Sequence, residues 1–226
     1  MRRPLTLLIV LAVVGLAGWV ADNWARGQAE DRVAAAAQAR LGLDQEPEVA
    51  LGGFPFSTAL VTKTVPSARL SAASVPLAVS GHGVQLTGVL VDSDRISLDG
   101  DQVRLARVTA TGVLPYGDLA QLTGVPTSYG GDGRLRLNYT ARVGGRQFSV
   151  WVSAVPGLAP DGTSIEFTGA ELDSETSASL SRKQLDRLAK SAPLQLPDGV
   201  RLTALTPAEG GVAVAALATD LSFTLA

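Results

Sequence analysis

Hydrophobic and polar residues follow three successive patterns along this chain of 226 residues. Residues 5–21 are apolar except for Thr6, residues 22–41 repeat small apolar residues at spacings of three and four, and most of the remainder alternates with a period of two. Side chains recur about every 3.6 residues around a helix and every two residues along a strand. The sequence therefore predicts a helical N-terminal part followed by a β-rich region.

Turn-forming residues divide the β-rich region into many short segments. The predicted strands are residues 48–51, 68–79, 84–91, 95–98, 102–113, 134–143, 146–152, 163–168, 200–206, 212–218 and 221–225. Two short helices are predicted at residues 115–122 and 181–190. Many antiparallel strands with a few helices predict an α+β fold, in which a long, highly curved antiparallel sheet wraps around a helix.

The clearest pair of strands is a hairpin. Residues 134–143 alternate strictly between polar and apolar side chains, and Gly144-Gly145 has the composition of a two-residue turn. Pairing directly from this turn puts Phe148 and Val150 on the apolar face of the first strand. Trp151 falls on the opposite face, where it needs either a covering element or a membrane.

The second helix, residues 22–41, has two interpretations. Its narrow stripe of Ala25, Ala29 and Val33 suits close packing against a sheet, whereas the charged residues around it also suit a solvated stalk. Gly42 is a plausible residue to end the helix, since glycine adopts the left-handed conformation that follows many helices.

The apolar segment at residues 5–21 decides the expected location of the chain. Its 17 residues make about 25 Å of helix, which is barely enough to span a membrane, and Arg2 and Arg3 precede it. A secretory signal has the same layout, but residues 15–17 offer only an imperfect cleavage site. We therefore expect an uncleaved anchor at residues 1–24.

The flanking charges orient this anchor. The positive-inside rule keeps the two arginines in the cytoplasm and places residues 25–226 outside as one extracytoplasmic domain. Trp19 and Trp24 would then lie at the outer membrane interface, because an indole combines an apolar body with a wet N–H group. The expected location is the cell membrane, with a single pass and the bulk of the chain in the periplasm or cell envelope.

Composition excludes several functions. The chain has no cysteine, so it has neither a disulfide framework nor a thiolate nucleophile nor a lipid-attachment cysteine. Its formal net charge is −2 and it has no block of Lys or Arg, which argues against nucleic acid as a partner. Most of the hydrophobic residues are aliphatic, since 46% of the chain is hydrophobic and only 5% is aromatic. That composition suits a solid β core and a smooth-walled tunnel equally well.

Catalytic signals are weak. The nucleophile-elbow, P-loop and zinc-protease motifs are all missing from the sequence, and the only histidine, His82, stands in a Gly-rich turn. Asp92, Asp94, Asp99 and Asp101 could gather around Ca²⁺, but aspartate is also common in tight turns, which we favour. The sequence predicts a protein that is not an enzyme and that has no cofactor and no metal.

The most informative motif is Leu51-Gly52-Gly53-Phe54-Pro55-Phe56. Two glycines allow a strand to end in backbone conformations closed to other residues, and Pro55 cannot donate to a ladder. The motif therefore delivers Phe54 and Phe56 to the rim of a sheet. The alternative interpretation is that both rings fill a core.

This motif is the first of several landmarks that occur in one order along the chain. They are GGFPF at 52–56, VPSARLSA at 65–72, YGDL at 116–119, LPDGVRLT at 196–203 and GGV at 210–212. Together they resemble the LmeA-type phospholipid-binding family of actinobacterial envelope proteins. The resemblance covers most of residues 28–226. Asp198 departs from it, because the family more often has an apolar or aromatic residue there, which implies a more polar pocket end.

The resemblance implies a fold similar to tubular lipid-binding proteins, with a curved sheet and a long helix enclosing a hydrophobic tunnel. It implies binding of a phospholipid, or of a phospholipid-based glycolipid precursor, in support of envelope lipid assembly or transfer. Two other functions stay open: an envelope hydrolase or transferase acting on an acylated substrate, and a non-catalytic scaffold with a filled core. The residues expected to bind lipid are Phe54, Phe56, Leu60, Val61, Phe148, Val150, Leu196 and Pro197.

Overall fold

A computed structural model describes most of the chain. The described residues are 3–79, 82–99, 102–143, 146–172, 192–193 and 199–224. Within them, the side chains of residues 3–20, 60, 78–79, 82, 141–143, 146–148, 192–193 and 223–224 are outside the description. The predicted helix at 181–190 and the residues Leu196, Pro197 and Asp198 lie outside the described residues. So does the predicted turn at Gly144-Gly145.

The described elements are three helices and eleven strands. In chain order they are α1 (Arg3–Leu41), β1 (Glu48–Leu51), α2 (Phe56–Thr62), β2 (Thr64–Val79), β3 (His82–Asp99), β4 (Gln102–Leu114), α3 (Tyr116–Thr123), β5 (Thr127–Tyr129), β6 (Leu135–Val143), β7 (Arg146–Leu158), β8 (Ser164–Leu172), β9 (Ala192–Pro193), β10 (Val200–Ala208) and β11 (Gly211–Thr224).

The strands form two sheets. One has six strands in the order β1-β2-β3-β4-β11-β10, and the other has five in the order β5-β6-β7-β8-β9. Mostly antiparallel sheets with few helices confirm the predicted α+β class. The predicted single sheet is wrong, because the described strands pair into two separate sheets. A tunnel is not shown in the described residues.

Contacts divide the chain into two compact units. The first comprises Met1–Ser71, Asp92–Val108 and Asp220–Ala226, and the second comprises Ala72–Val91 and Thr109–Thr219. The proposed division into an anchor, residues 1–24, and one domain, residues 25–226, stays a prediction.

In the first unit, α1 runs without a break through both of the predicted N-terminal helices. It ends where expected, because Gly42 follows it with a φ of 62°. In the part of the chain whose side chains are described, no helix is both long and apolar enough to cross a membrane. The side chains of residues 3–20, which carry most of the predicted anchor, are outside that part.

One predicted turn, at residues 92–94, and one predicted gap between strands, at residues 219–220, lie inside strands instead. β3 continues through Asp92, Ser93 and Asp94, and β11 continues through Asp220. Within β3, Asp92 pairs with Arg69 at 2.7 Å, and Ser93 is buried. The predicted strands 84–91 and 95–98 are therefore one strand, as are 212–218 and 221–225.

The predicted hairpin in the second unit is confirmed. β6 and β7 pair antiparallel in the expected register, with Val143 opposite Arg146 and Tyr139 opposite Val150. Val150 and Val152 are 0% and 1% exposed and form a cluster against Tyr139, Ala170 and Leu172. The alternating pattern thus produces one dry, aliphatic face of the five-stranded sheet.

Trp151 lies on the opposite face of β7, as the register requires. The guanidinium of Arg136 on β6 lies over its ring, 4.5 Å from the centroid. A cation in this position is attracted to the electron-rich face of the indole. The neighbouring strand therefore supplies cover for Trp151.

The short helix α3 also agrees with the sequence. It follows Pro115 and ends at Gly124, which has a φ of 67°. Its buried Leu119 packs with Leu135 and Val212 in a second apolar cluster of the same unit. By contrast, α2, β5 and β9 were not predicted.

Candidate functional site

The candidate site is built around the β1–α2 connection, which we define as residues 52–55. Both glycines of this connection are required by their surroundings. A Cβ atom at Gly52 would overlap the Oγ atom of Ser67, and one at Gly53 would lie 3.0 Å from Cδ of Pro66. Gly53 also has a φ of 105°, a conformation that side chains rarely adopt. The glycine pair therefore fixes how the chain leaves β1.

Three charged residues on successive turns of α1 hold this connection, and we call them the α1 clamp: Asp22, Arg26 and Glu30. The Asp22 carboxylate accepts hydrogen bonds from the backbone N–H groups of Phe56 and Ser57, both at 2.7 Å. Arg26 donates to the carbonyl oxygen of Gly53 at 2.6 Å, and Glu30 accepts from the N–H group of Leu51 at 2.7 Å.

The clamp replaces a cap that α2 lacks. Pro55 stands at the N-cap of α2 and offers no side-chain acceptor to the first turn. The first N–H groups of a helix have no partner within the helix, and leaving them buried and unpaired is costly. Asp22, which lies 34 residues earlier in the chain than Phe56, supplies the missing acceptor.

These contacts change the acidity of Asp22. The hydrogen bond from the Phe56 N–H group is the largest cause that lowers the pKa of the Asp22 carboxyl below its ordinary value of 3.8, and desolvation opposes it. The Ser57 bonds and the positive charge of Arg26, 4.0 Å away, lower the pKa further. Asp22 is thus held as a carboxylate, the form that can accept both backbone bonds.

The two rings of the motif have opposite environments. Phe56 is 3% exposed and begins α2, with Ala59 buried one turn later. Phe54 is 72% exposed, and Val61 near the end of α2 is 84% exposed. Both earlier interpretations of the motif therefore apply, each to one ring: Phe56 fills a core and Phe54 projects from the surface.

A surface pocket of about 390 Å³ lies beside the exposed ring. Phe54, Pro55, Ala59 and Pro66 line it together with Gly53 and three threonines. The hydroxyls of Thr58, Thr62 and Thr64 donate to the backbone carbonyls of Pro55, Thr58 and Thr62, respectively. Because these donors are already used and no lining residue is charged, the pocket suits a ligand group of low polarity.

The other expected lipid-binding residues are distributed as follows. Phe54, Phe56 and Val61 belong to the first compact unit, and Val150 is buried in the second. The side chains of Leu60 and Phe148 are outside the description, as are Leu196 and Pro197 altogether. Of the two expected interface residues, Trp24 is 70% exposed, and the side chain of Trp19 is not described. The role of these residues in lipid binding stays a prediction.

The α1 clamp was missed in the sequence. The predicted contact stripe of α1 contained Val33, which is 44% exposed, whereas Ala34 is 5% exposed. Ala34 continues the spacing of four that joins the three clamp residues, so this spacing was the available signal. This spacing alone does not indicate a contact with another segment, because charged residues at such spacing normally form solvated ion pairs along a helix.

The described residues contain no group of three or more His, Asp or Glu side chains that could hold a metal ion. Asp92 is paired with Arg69, and Asp99 lies 3.9 Å from Arg104.

Comparison with known families agrees with this geometry. Residues 20–216 match the model of a family described as LmeA-like phospholipid-binding. Searches of curated proteins and of solved structures gave no match. The matched range includes the whole α1 clamp and the β1–α2 connection, and it covers most of the chain. The chain therefore belongs to the LmeA-like phospholipid-binding family.

Proposed function

We propose that this protein binds a phospholipid, or a glycolipid precursor built on one, in an apolar tunnel on the outer side of the cytoplasmic membrane. It acts as a carrier or presenter in envelope lipid assembly or transfer. Membership of a phospholipid-binding family supports lipid as the ligand. It also supports a protein that is not an enzyme, since the family is one of lipid binding.

The observation that carries the proposal is the exposure of Phe54 beside an uncharged pocket. The ring is 72% exposed although the segment that carries it is held by the α1 clamp and by two sterically required glycines. When a ligand covers an exposed apolar ring, the binding free energy becomes more favourable by about 0.8 kcal/mol for each CH₂ equivalent removed from water. An acyl chain is a ligand that would provide this contact.

The location is part of the proposal. The basic residues at the start of the chain and the apolar segment at residues 5–21 support a single membrane anchor, with the binding domain outside. Trp24, just after this segment, is 70% exposed and is suited to the membrane interface. An anchored domain would take its lipid from the membrane to which it is tethered.

The test is the lipid content of the purified full-length chain. We expect phospholipid in stoichiometric amount, measured by mass spectrometry of an organic extract. Phe54→Ser should reduce this content severalfold while changing the free energy of unfolding by less than about 0.5 kcal/mol, because the ring is exposed. Val33→Ser is the matched control, since Val33 is an exposed apolar residue of the same unit outside this pocket.

Two results would contradict the proposal. A wild-type protein that carries no phospholipid would favour a scaffold with a filled core. Full lipid content in the Phe54→Ser variant would show that the exposed ring and its pocket do not take part in binding.

A further inference from the structure

A second surface pocket, of about 460 Å³, lies in the first unit at the strands β3, β4 and β11. We call it the arginine pocket. Unlike the pocket beside Phe54, it is lined mainly by polar side chains, and its polar residues are Arg95, Ser97, Gln102, Arg104, Asp220 and Ser222.

The backbone is strained at two positions of the arginine pocket. Arg95 has a φ of 48° and Asp220 a φ of 54°, and they are two of the four residues other than glycine that have positive φ in the described part of the chain. This conformation costs roughly 1–2 kcal/mol per residue, and such strain concentrates at ligand sites. Both kinks lie within strands, where a regular backbone would have avoided the cost.

Both arginines are available to a ligand. Arg95 makes no hydrogen bond or ion pair with any other described residue. Arg104 reaches Asp99 only at 3.9 Å, and these two side chains are 60% and 80% exposed, so their mutual attraction is weak. Arg69 on β2 is different, because its Nε–H group donates to the Asp92 carboxylate at 2.7 Å.

We propose that the arginine pocket binds the phosphodiester group of a phospholipid headgroup. A guanidinium presents planar, paired donors that match phosphate oxygens, and the Ser97 and Ser222 hydroxyls and the Gln102 amide add neutral donors. With Asp220 included, the lining carries one net positive charge, which matches a singly charged diester better than a doubly charged phosphate. This inference rests on the proposed function for the identity of the anion.

The experiment uses the full-length chain and two soluble probes, glycerophosphoglycerol for the headgroup and inorganic phosphate for the free anion. Binding is measured by titration calorimetry at low salt, because screening weakens exposed charges. Arg95→Gln and Arg104→Gln should each weaken binding of glycerophosphoglycerol about tenfold. Arg107→Gln is the matched control, since Arg107 is an exposed arginine on the same strand that does not line the pocket. Its affinity should stay within about twofold of wild type.

A further variant tests the choice of a diester. Asp220→Asn removes the carboxylate and should strengthen binding of inorganic phosphate more than binding of the diester. If wild type binds inorganic phosphate more tightly than glycerophosphoglycerol, the ligand is free phosphate and the proposal is overturned. If the two arginine variants bind the diester as well as the Arg107 control does, the site is also overturned.

The outcomes separate this inference from the proposed function. Wild-type protein that carries phospholipid, with unchanged lipid content and probe affinity in an Arg95/Arg104 double variant, refutes the arginine pocket and leaves lipid binding intact. Protein without lipid that still binds glycerophosphoglycerol through these arginines refutes the proposed function and confirms an anion site.

Discussion

The β1–α2 connection and the β6–β7 hairpin reach ordered structures by different means. In the hairpin, one alternating pattern both pairs the strands and buries Val150 and Val152 on a single face. In the connection, two glycines and a set of hydrogen bonds from α1 determine the path of the chain. The hairpin is therefore stabilised mainly by the residues that pattern it, and the connection by residues more than twenty positions away.

The difference matters for function because only the connection leaves a large ring in water. The hairpin places its apolar side chains in a dry cluster, where they contribute to stability. The connection buries Phe56 and exposes Phe54 within three residues, so stability and a binding surface are carried by neighbouring side chains.

The largest change in stability is expected when the two rings are replaced one at a time. Phe56→Ala should lower the free energy of unfolding by about 3–5 kcal/mol, because the ring is 3% exposed and its loss leaves a cavity. Phe54→Ala should change it by less than about 0.5 kcal/mol. Denaturant unfolding of both variants measures the difference. Equal losses of unfolding free energy in the two variants would show that both rings have the same structural role. The connection would then not separate a core residue from a surface residue.

The packing of the hairpin is tested by a larger side chain at a buried position. Val150 is 0% exposed and already packed, so Val150→Trp should cost about 1–3 kcal/mol of stability. Val155→Trp is the control, because Val155 lies on the same strand and is 37% exposed, and it should change stability by less than about 0.5 kcal/mol.

A different result at position 150 would sharpen the proposed function. If Val150→Trp keeps its stability and loses bound phospholipid, the apolar face of β7 lines a lipid-filled space. Unchanged stability together with unchanged lipid content would mean that the site relaxes around the indole, and the cluster would then be less tightly packed than its burial indicates.

What the sequence predicts correctly is local. The register of β6 and β7 follows from alternation, and Gly42 and Gly124 end α1 and α3 because glycine tolerates the left-handed conformation. Each of these features is determined by residues close together in the chain. Pattern and turn composition are sufficient for them.

What it misses depends on distant partners. The Asp-Ser-Asp segment at 92–94 has the composition of a turn, yet it lies within β3, where Asp92 pairs with Arg69 on another strand. The first turn of α2 depends on Asp22, and α2 itself was not predicted. The division into two sheets depends on which strands pair, and alternation alone does not specify a partner.

The smallest expected change in stability comes from the α1 clamp, and its size depends on pH. The pKa of Asp22 is lowered in the folded chain, chiefly by the Phe56 N–H group, so the ionised carboxyl favours folding. This contribution is fully present above the ordinary value of 3.8 and is lost as the pH falls through the lower pKa of the folded state. Asp22→Asn should therefore lower the thermal midpoint at pH 7, by less than Phe56→Ala does.

The pH dependence of the gap between wild type and Asp22→Asn isolates this carboxylate from every other titrating group. We expect the gap to narrow as the pH falls below about 3.8, since the wild-type carboxyl then becomes protonated as well. Asp31→Asn, an exposed carboxylate on the same helix, should show little gap at any pH. A gap for Asp22→Asn that stays constant from pH 7 to pH 3 would mean that the side chain acts through its shape and neutral hydrogen bonds. In that case the connection would be held by packing, as the hairpin is, and the contrast between the two regions would rest on Arg26 and Glu30 alone.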